Sequence, residues 1–255
     1  MIPTKARLFC VIPVAFGLIF LDQAPAARGA SANVAAVADT TLQSAYPSEN
    51  FGDGTSFQAG GRRKGGSARG LLRFDLSGSV PAGATINSVT LTLSVTATPV
   101  GGPNSLFDLR RVQASWGEGN KTDHGGSTAT AGEATWTSRF TGSSLWGSPG
   151  GDFSGVVSAS RSVGGNGSYT FASTANLVSD AQNWVNDPGN NFGWIVMSES
   201  ENLGASIRRF GNRNSGAFAP LLTVNYTAVP EPGPWAVILL GGAALWRWGM
   251  KRKRG

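Results

Sequence analysis

Hydrophobic and polar residues alternate most strictly at residues 86–96, where Val89, Leu91, Leu93 and Val95 are separated by Thr90, Thr92, Ser94 and Thr96. A period of two puts one set on each face of an extended chain, so this pattern predicts a half-buried strand. Residues 71–76 alternate as well, with Leu72, Phe74 and Leu76 on one face and Arg73 and Asp75 on the other. Pro81, Ala82 and Gly83 supply the turn between the two, which makes this pair the expected heart of a sheet. Further strands are predicted at residues 37–46, 57–59, 105–114, 134–137, 156–163, 168–171, 194–198, 205–210 and 221–227. One segment has helical spacing instead: Leu177, Ala181, Trp184 and Val185 form a stripe, Ser173 stands where a cap is needed, and Asp187, Pro188 and Gly189 end it. Short strands joined by glycine-rich turns predict an all-β fold, an antiparallel β-sandwich or jelly roll with one short helix.

Two apolar runs stand outside this pattern. Residues 8–21 follow Lys5 and Arg7 and precede small residues ending in Ala30, Ser31 and Ala32, which is the layout of a secretory signal peptide. Cleavage is expected after Ala32, with Ala27 as a rival site. Near the other end, residues 235–246 carry no charge, and continuing to Met250 gives a span of about 24 Å at roughly 1.5 Å per residue. That is short for a bilayer, although Arg247 in the last turn can reach the headgroups. Lys251, Arg252, Lys253 and Arg254 would stay in the cytoplasm by the positive-inside rule, so everything before Val229 faces outward. Just upstream, Pro230 and Pro232 remove helical N–H donors and hold Glu231 extended and accessible. The expected organisation is a signal peptide at 1–32, a β-domain at 33–228 and a transmembrane sorting segment at 229–255.

Val229, Pro230, Glu231 and Pro232, the apolar run and the basic tail, in that order, resemble the PEP-CTERM sorting signal of Gram-negative, exopolysaccharide-producing bacteria. The resemblance implies exosortase as a partner, residence in the inner membrane before processing, and the cell surface or matrix as destination. A second resemblance lies in residues 71–77, in residues 81–86 and the Thr/Leu strand after them, and in Trp116-Gly117-Glu118, Phe192-Gly193-Trp194 and residues 220–226. Together with Asp39-Thr40 and Asn50-Phe51-Gly52 upstream, this ordered set resembles DNRLRE domains, which are similar to β-jelly-roll carbohydrate-binding modules. The hexapeptide that labels that family is absent here.

Charge changes the picture less than the net value of +6 suggests. Residues 33–228 hold 13 basic and 13 acidic side chains, and the excess sits in the two terminal segments. A neutral domain removes the main argument for nucleic acid as partner. Cys10, the one cysteine, falls in the signal peptide, so the domain has no disulfide, thiol chemistry or Cys-ligated zinc site. His124 is the one histidine, and no Gly-x-Ser-x-Gly elbow is present, which argues against a Ser-His-Asp triad.

Sugar binding calls for exposed aromatic faces beside hydrogen-bonding groups, and Trp116 and Trp146 lie in polar, glycine-rich surroundings that suit it. Trp184 and Trp194 lie in apolar patterns and are expected in the core. Arg62, Arg63 and Lys64 in a glycine loop can meet an acidic polysaccharide, and a solvated basic turn is the other account, the one that turn chemistry favours. Asp39, Asn50 and Asp53 are oxygen donors in and before a glycine-rich turn. The jelly-roll resemblance implies a structural calcium there, and ordinary turn chemistry is the other account. No other cofactor is expected. The chain thus reads as a secreted, non-catalytic surface or matrix protein, structural or carbohydrate-binding. The alternative is a polysaccharide-acting enzyme built on paired carboxylates.

Overall fold

The computed structural model describes residues 28–122 and 126–229. The expected signal peptide up to residue 27, His124, and the sorting segment from Pro230 onward lie outside the described residues. Among the described residues no helix is long and apolar enough to cross a membrane.

The strands of four or more residues are β1 (Gly29–Gln43), β2 (Ser56–Gly61), β3 (Ser67–Phe74), β4 (Thr85–Ala97), β5 (Ser105–Val112), β6 (Phe153–Val163), β7 (Gly167–Phe171), β8 (Trp194–Ser198), β9 (Arg208–Gly211) and β10 (Leu221–Thr227). Helix α1 (Ala175–Asn186) lies between β7 and β8. All these strands pair antiparallel, in two sheets. In the first, β10 joins the front half of β1 to β4; β9 continues along the same edge of β4 and leads to β2, and β7 takes the other edge. In the second, the order is the rear half of β1, then β3, β8, β5 and β6. β1 crosses between the sheets at a register shift between Ala36 and Ala38, and β2 also bridges, pairing with β9 and then, through Gly60 and Gly61, with β3. An irregularity at such a corner lets one strand serve two sheets.

The faces predicted for β3 and β4 are the faces observed. Leu72, Phe74 and Leu76 point between the sheets with Val89, Leu91, Leu93 and Val95, all buried. α1 lies against β4 and β6 and inserts Trp184 beside Trp194, ring centroids 4.3 Å apart. Its cap is Thr174, whose hydroxyl accepts from the Leu177 N–H; Ser173, expected in that role, accepts from the Val89 N–H of β4 instead. Gly193 has φ +81°, and a Cβ there would lie 1.9 Å from the Leu72 carbonyl oxygen, so only glycine lets β8 start this close to β3.

One predicted strand changes. The strand predicted at 134–137 is a folded loop: the Ala134 N–H donates to the Gly117 carbonyl and the Thr135 N–H to the Ser138 carbonyl. That loop covers the outer face of the second sheet, so Leu71 is buried with Trp116, Ala134 and Trp146 in a second apolar cluster. β1 also begins at Gly29, with Ala30, Ser31 and Ala32 registered against Tyr226, Asn225 and Val224. The domain boundary expected after Ala32 therefore runs through a paired strand; small residues suit a peptidase and a strand equally.

Candidate cationic groove

The chain leaves β2 into a turn closed by Arg62 N–H to the Gly66 carbonyl and Gly65 N–H to the Arg62 carbonyl, with Gly65 and Gly66 both at φ +87°. That turn projects Arg62, Arg63 and Lys64 over the outer edge of the first sheet. Beside them stands Arg209 of β9, registered with Gln58 of β2 and Ala97 of β4. Its neighbour Arg208 is 1 % exposed and donates to the backbone carbonyls of Pro103, Gly164, Ala205, Ser206 and Ile207, which fixes the strand that aims Arg209 outward.

These four cations line one groove of about 370 Å³ with Gln58, Thr98 and Pro99. Among the described residues no carboxylate lines it. The Arg62 guanidinium rests 4.7 Å from the Tyr46 ring, and its Nη1 is buried with no hydrogen-bond partner. Arg63 donates to the Val100 carbonyl. Lys64 and Arg209 have no ion-pair partner among the described residues. Like charges gathered this closely repel, and a polyanion that offers each an oxygen relieves the repulsion. Arg209 was not foreseen, since its partners in the groove are about 145 residues earlier in the chain.

The tryptophan expectation is corrected. Trp116 and Trp146 are 4 % and 5 % exposed, and their indole N–H groups donate to the Phe192 and Thr135 carbonyls at 2.9 Å each. Polar surroundings in sequence became a lid in space, with both rings turned under it onto β3 and β8. Trp136 is half-buried, but Arg69 lies 5.0 Å from its ring while pairing with Glu201 at 2.9 Å. Trp184 and Trp194 are core, as expected.

Residues 30–125 match carbohydrate-binding module family 96. The β-domain is thus carbohydrate-binding-module-like, which points to binding rather than catalysis. The matched segment runs from β1 through β5 and contains Arg62, Arg63 and Lys64, while Arg209 and α1 lie beyond it. The chain matches no curated protein.

Asp39, Asn50 and Asp53 also fall within the segment matched to family 96, and each has a side-chain oxygen already engaged. The Asn50 amide donates to the Glu118 and Ala134 carbonyls and accepts from the Gly52 N–H, so it pins three backbone segments together. Gly119 must lack a side chain for this, because a Cβ there would lie 2.2 Å from the Asn50 amide oxygen. Asp53 accepts from the Asn214 amide. Asp39 accepts from the Arg213 N–H, and the Arg213 guanidinium pairs with Glu118 at 2.6 Å, a cation already seated beside the two carboxylates. The three residues do not fit a shared calcium ion. Burial pushes the Asp39 carboxyl up to about 6, and the negative charge of Glu118 adds to this, against the pull of the Arg213 N–H and guanidinium and of Asn212.

Proposed function

We propose that this chain is a secreted, non-catalytic matrix protein whose β-domain holds an acidic polysaccharide in the groove of Arg62, Arg63, Lys64 and Arg209. The observation that carries the reading is four cations lining one groove without a carboxylate. Arginine forks suit the planar carboxylates of uronic acids, and lysine adds a mobile charge. Binding of this kind needs no cofactor, and it weakens with salt because exposed charges are screened over about 10 Å at 0.1 M.

The full-length Arg63→Ala/Lys64→Ala/Arg209→Ala protein is expected to bind immobilised polygalacturonate at least about tenfold more weakly than wild type at low salt, a loss of about 1.4 kcal/mol or more. Its affinity should also depend less on salt. The melting temperature should stay close to that of wild type, since none of the three side chains is buried. Equal retention of variant and wild type on the polyuronate would remove the groove as the site.

The sorting reading rests on the sequence of the tail. Signal-peptide export followed by exosortase processing at the Val229-Pro230-Glu231-Pro232 segment would deliver the domain to the exopolysaccharide matrix of a Gram-negative cell. Cleavage of the signal peptide at the rival site after Ala27 keeps Gly29 in the strand that pairs with Thr227. Glu231→Ala is expected to leave export and folding intact and to stop processing, so that the precursor stays in the inner membrane. Fractionation with mass spectrometry of the C-terminus reads this directly, and wild-type release of the Glu231→Ala protein would leave a plain membrane anchor as the better account.

A further inference from the structure

A second groove, of about 470 Å³, lies between the end of β5 and the last turn of α1. Its volume falls within the roughly 300–1,000 Å³ of small-molecule sites. Planar amides dominate its lining: Gln113 from β5's exit, Asn183 and Asn186 from α1, and Asn190 from the loop that follows, with the half-buried Phe192 at its side. The loop is held in place, because the Asn191 amide donates to the Phe74 carbonyl and the Phe192 carbonyl accepts from Trp116. The side chains of Gln113 and Asn183 have no partner among the described residues, so their donors and acceptors are free for a ligand. Asn190 donates to the Asp187 carboxylate, which fixes a further acceptor at the rim.

The charge here is unlike that of the first groove. Arg111 lies 3.3 Å from Asp180 and so has its counter-ion, and Asp187 adds a negative charge at the mouth. An anionic ligand finds no unpaired cation. A neutral polyhydroxylated ligand finds what it needs, since the unpartnered amides of Gln113 and Asn183 each offer donors and an acceptor side by side, matching adjacent hydroxyls, Asn186 adds donors while its oxygen accepts from Gln182, and the Phe192 ring offers an apolar face for C–H groups.

The two grooves are also far apart. Gln182 of α1 donates to the Ala84 carbonyl and accepts from the Ile86 N–H, which fixes the last turns of α1 at the start of β4. Ala97, at the end of β4, lines the cationic groove. A 13-residue strand rising about 3.3 Å per residue separates these ends by about 40 Å.

From these observations we infer a second carbohydrate site, at Gln113, Asn183, Asn186, Asn190 and Phe192, that takes a neutral hexose or pentose chain. It does not depend on the polyuronate reading of the first groove. With both grooves filled, one domain would join two separate glycan segments.

The test is NMR titration of the full-length protein with cellohexaose, xylohexaose and mannohexaose in turn. At least one is expected to shift the side-chain amide resonances of Gln113, Asn183 and Asn186. Gln113→Ala/Asn183→Ala should weaken that binding at least about tenfold without changing the fold, as both side chains are exposed and unpartnered and alanine suits the helix at position 183. Arg63→Ala/Lys64→Ala/Arg209→Ala should leave it unchanged. If none of the three sugars moves these amides, or if the arginine variant abolishes the shifts while the amide variant does not, the second site is wrong, whatever the first groove does with polygalacturonate.

Discussion

Phe74→Asp is expected to abolish the cooperative thermal transition of the domain. Phe74 is 0 % exposed, lies between Leu72 and Leu76 on the inter-sheet face, and sits 6.1 Å from the Trp194 ring, which packs against Trp184 at a tilt of 57°. Losing the ring alone costs about 3–5 kcal/mol. An unpaired carboxylate in the same place adds several kcal/mol more. Together these reach the total stability of about 5–15 kcal/mol typical of a domain. Asp75, one residue on, is exposed and bonds only to Ser77, so Asp75→Ala should cost no more than about 1 kcal/mol. A cooperative melt of Phe74→Asp near the wild-type temperature would mean that the two faces of β3 are exchanged.

Asp39→Asn is expected to stabilise the protein at pH 7 and to leave it unchanged near pH 4. The folded carboxyl titrates at about 6 against 3.8 when unfolded, so between these values the native state holds more protons than the unfolded chain. Wild-type stability must then fall as pH rises through that window and level off above it. A shift of this size corresponds to about 3 kcal/mol at neutral pH. Asparagine still accepts the Arg213 N–H without placing a charge in a site that is 1 % exposed. Denaturant melts of both proteins from pH 4 to 8 give the difference directly, which removes the other carboxylates from the comparison. Parallel curves would show that Asp39 is ionised at little cost.

Local alternation carried much of the fold. The period of two at β4 and β3 was legible because each strand buries one face against the other sheet, so composition at successive positions reports direction. The same rule fell short on the outer face of the second sheet, where Leu71, which it left unassigned, is covered by side chains 45 to 75 residues later in the chain. Trp116 and Trp146 failed with it: local polarity describes chain neighbours, and their spatial neighbours are Phe192, Thr135 and the strands beneath. The loop cations Arg62, Arg63 and Lys64 were legible as a cluster, since they adjoin in sequence. Arg209 was not, because only antiparallel registry to Gln58 and Ala97 brings it there. Thr174 took the capping position from Ser173 for a similar reason, as Ser173 is held by β4. The amides of the second groove come from three separate elements and showed no motif.

The pairing of the last strand bears on how the domain carries tension. β10 is registered over seven residue pairs with β1 on one side and over seven with β4 on the other, and it ends at Thr227, beside Gly29. The cationic groove lies at the far end of β4. A pull on Val229 opposed by a glycan seated in that groove acts along β10, so the hydrogen bonds on both of its edges share the load in shear. They would have to fail together, where a strand loaded across its axis would peel away one bond at a time.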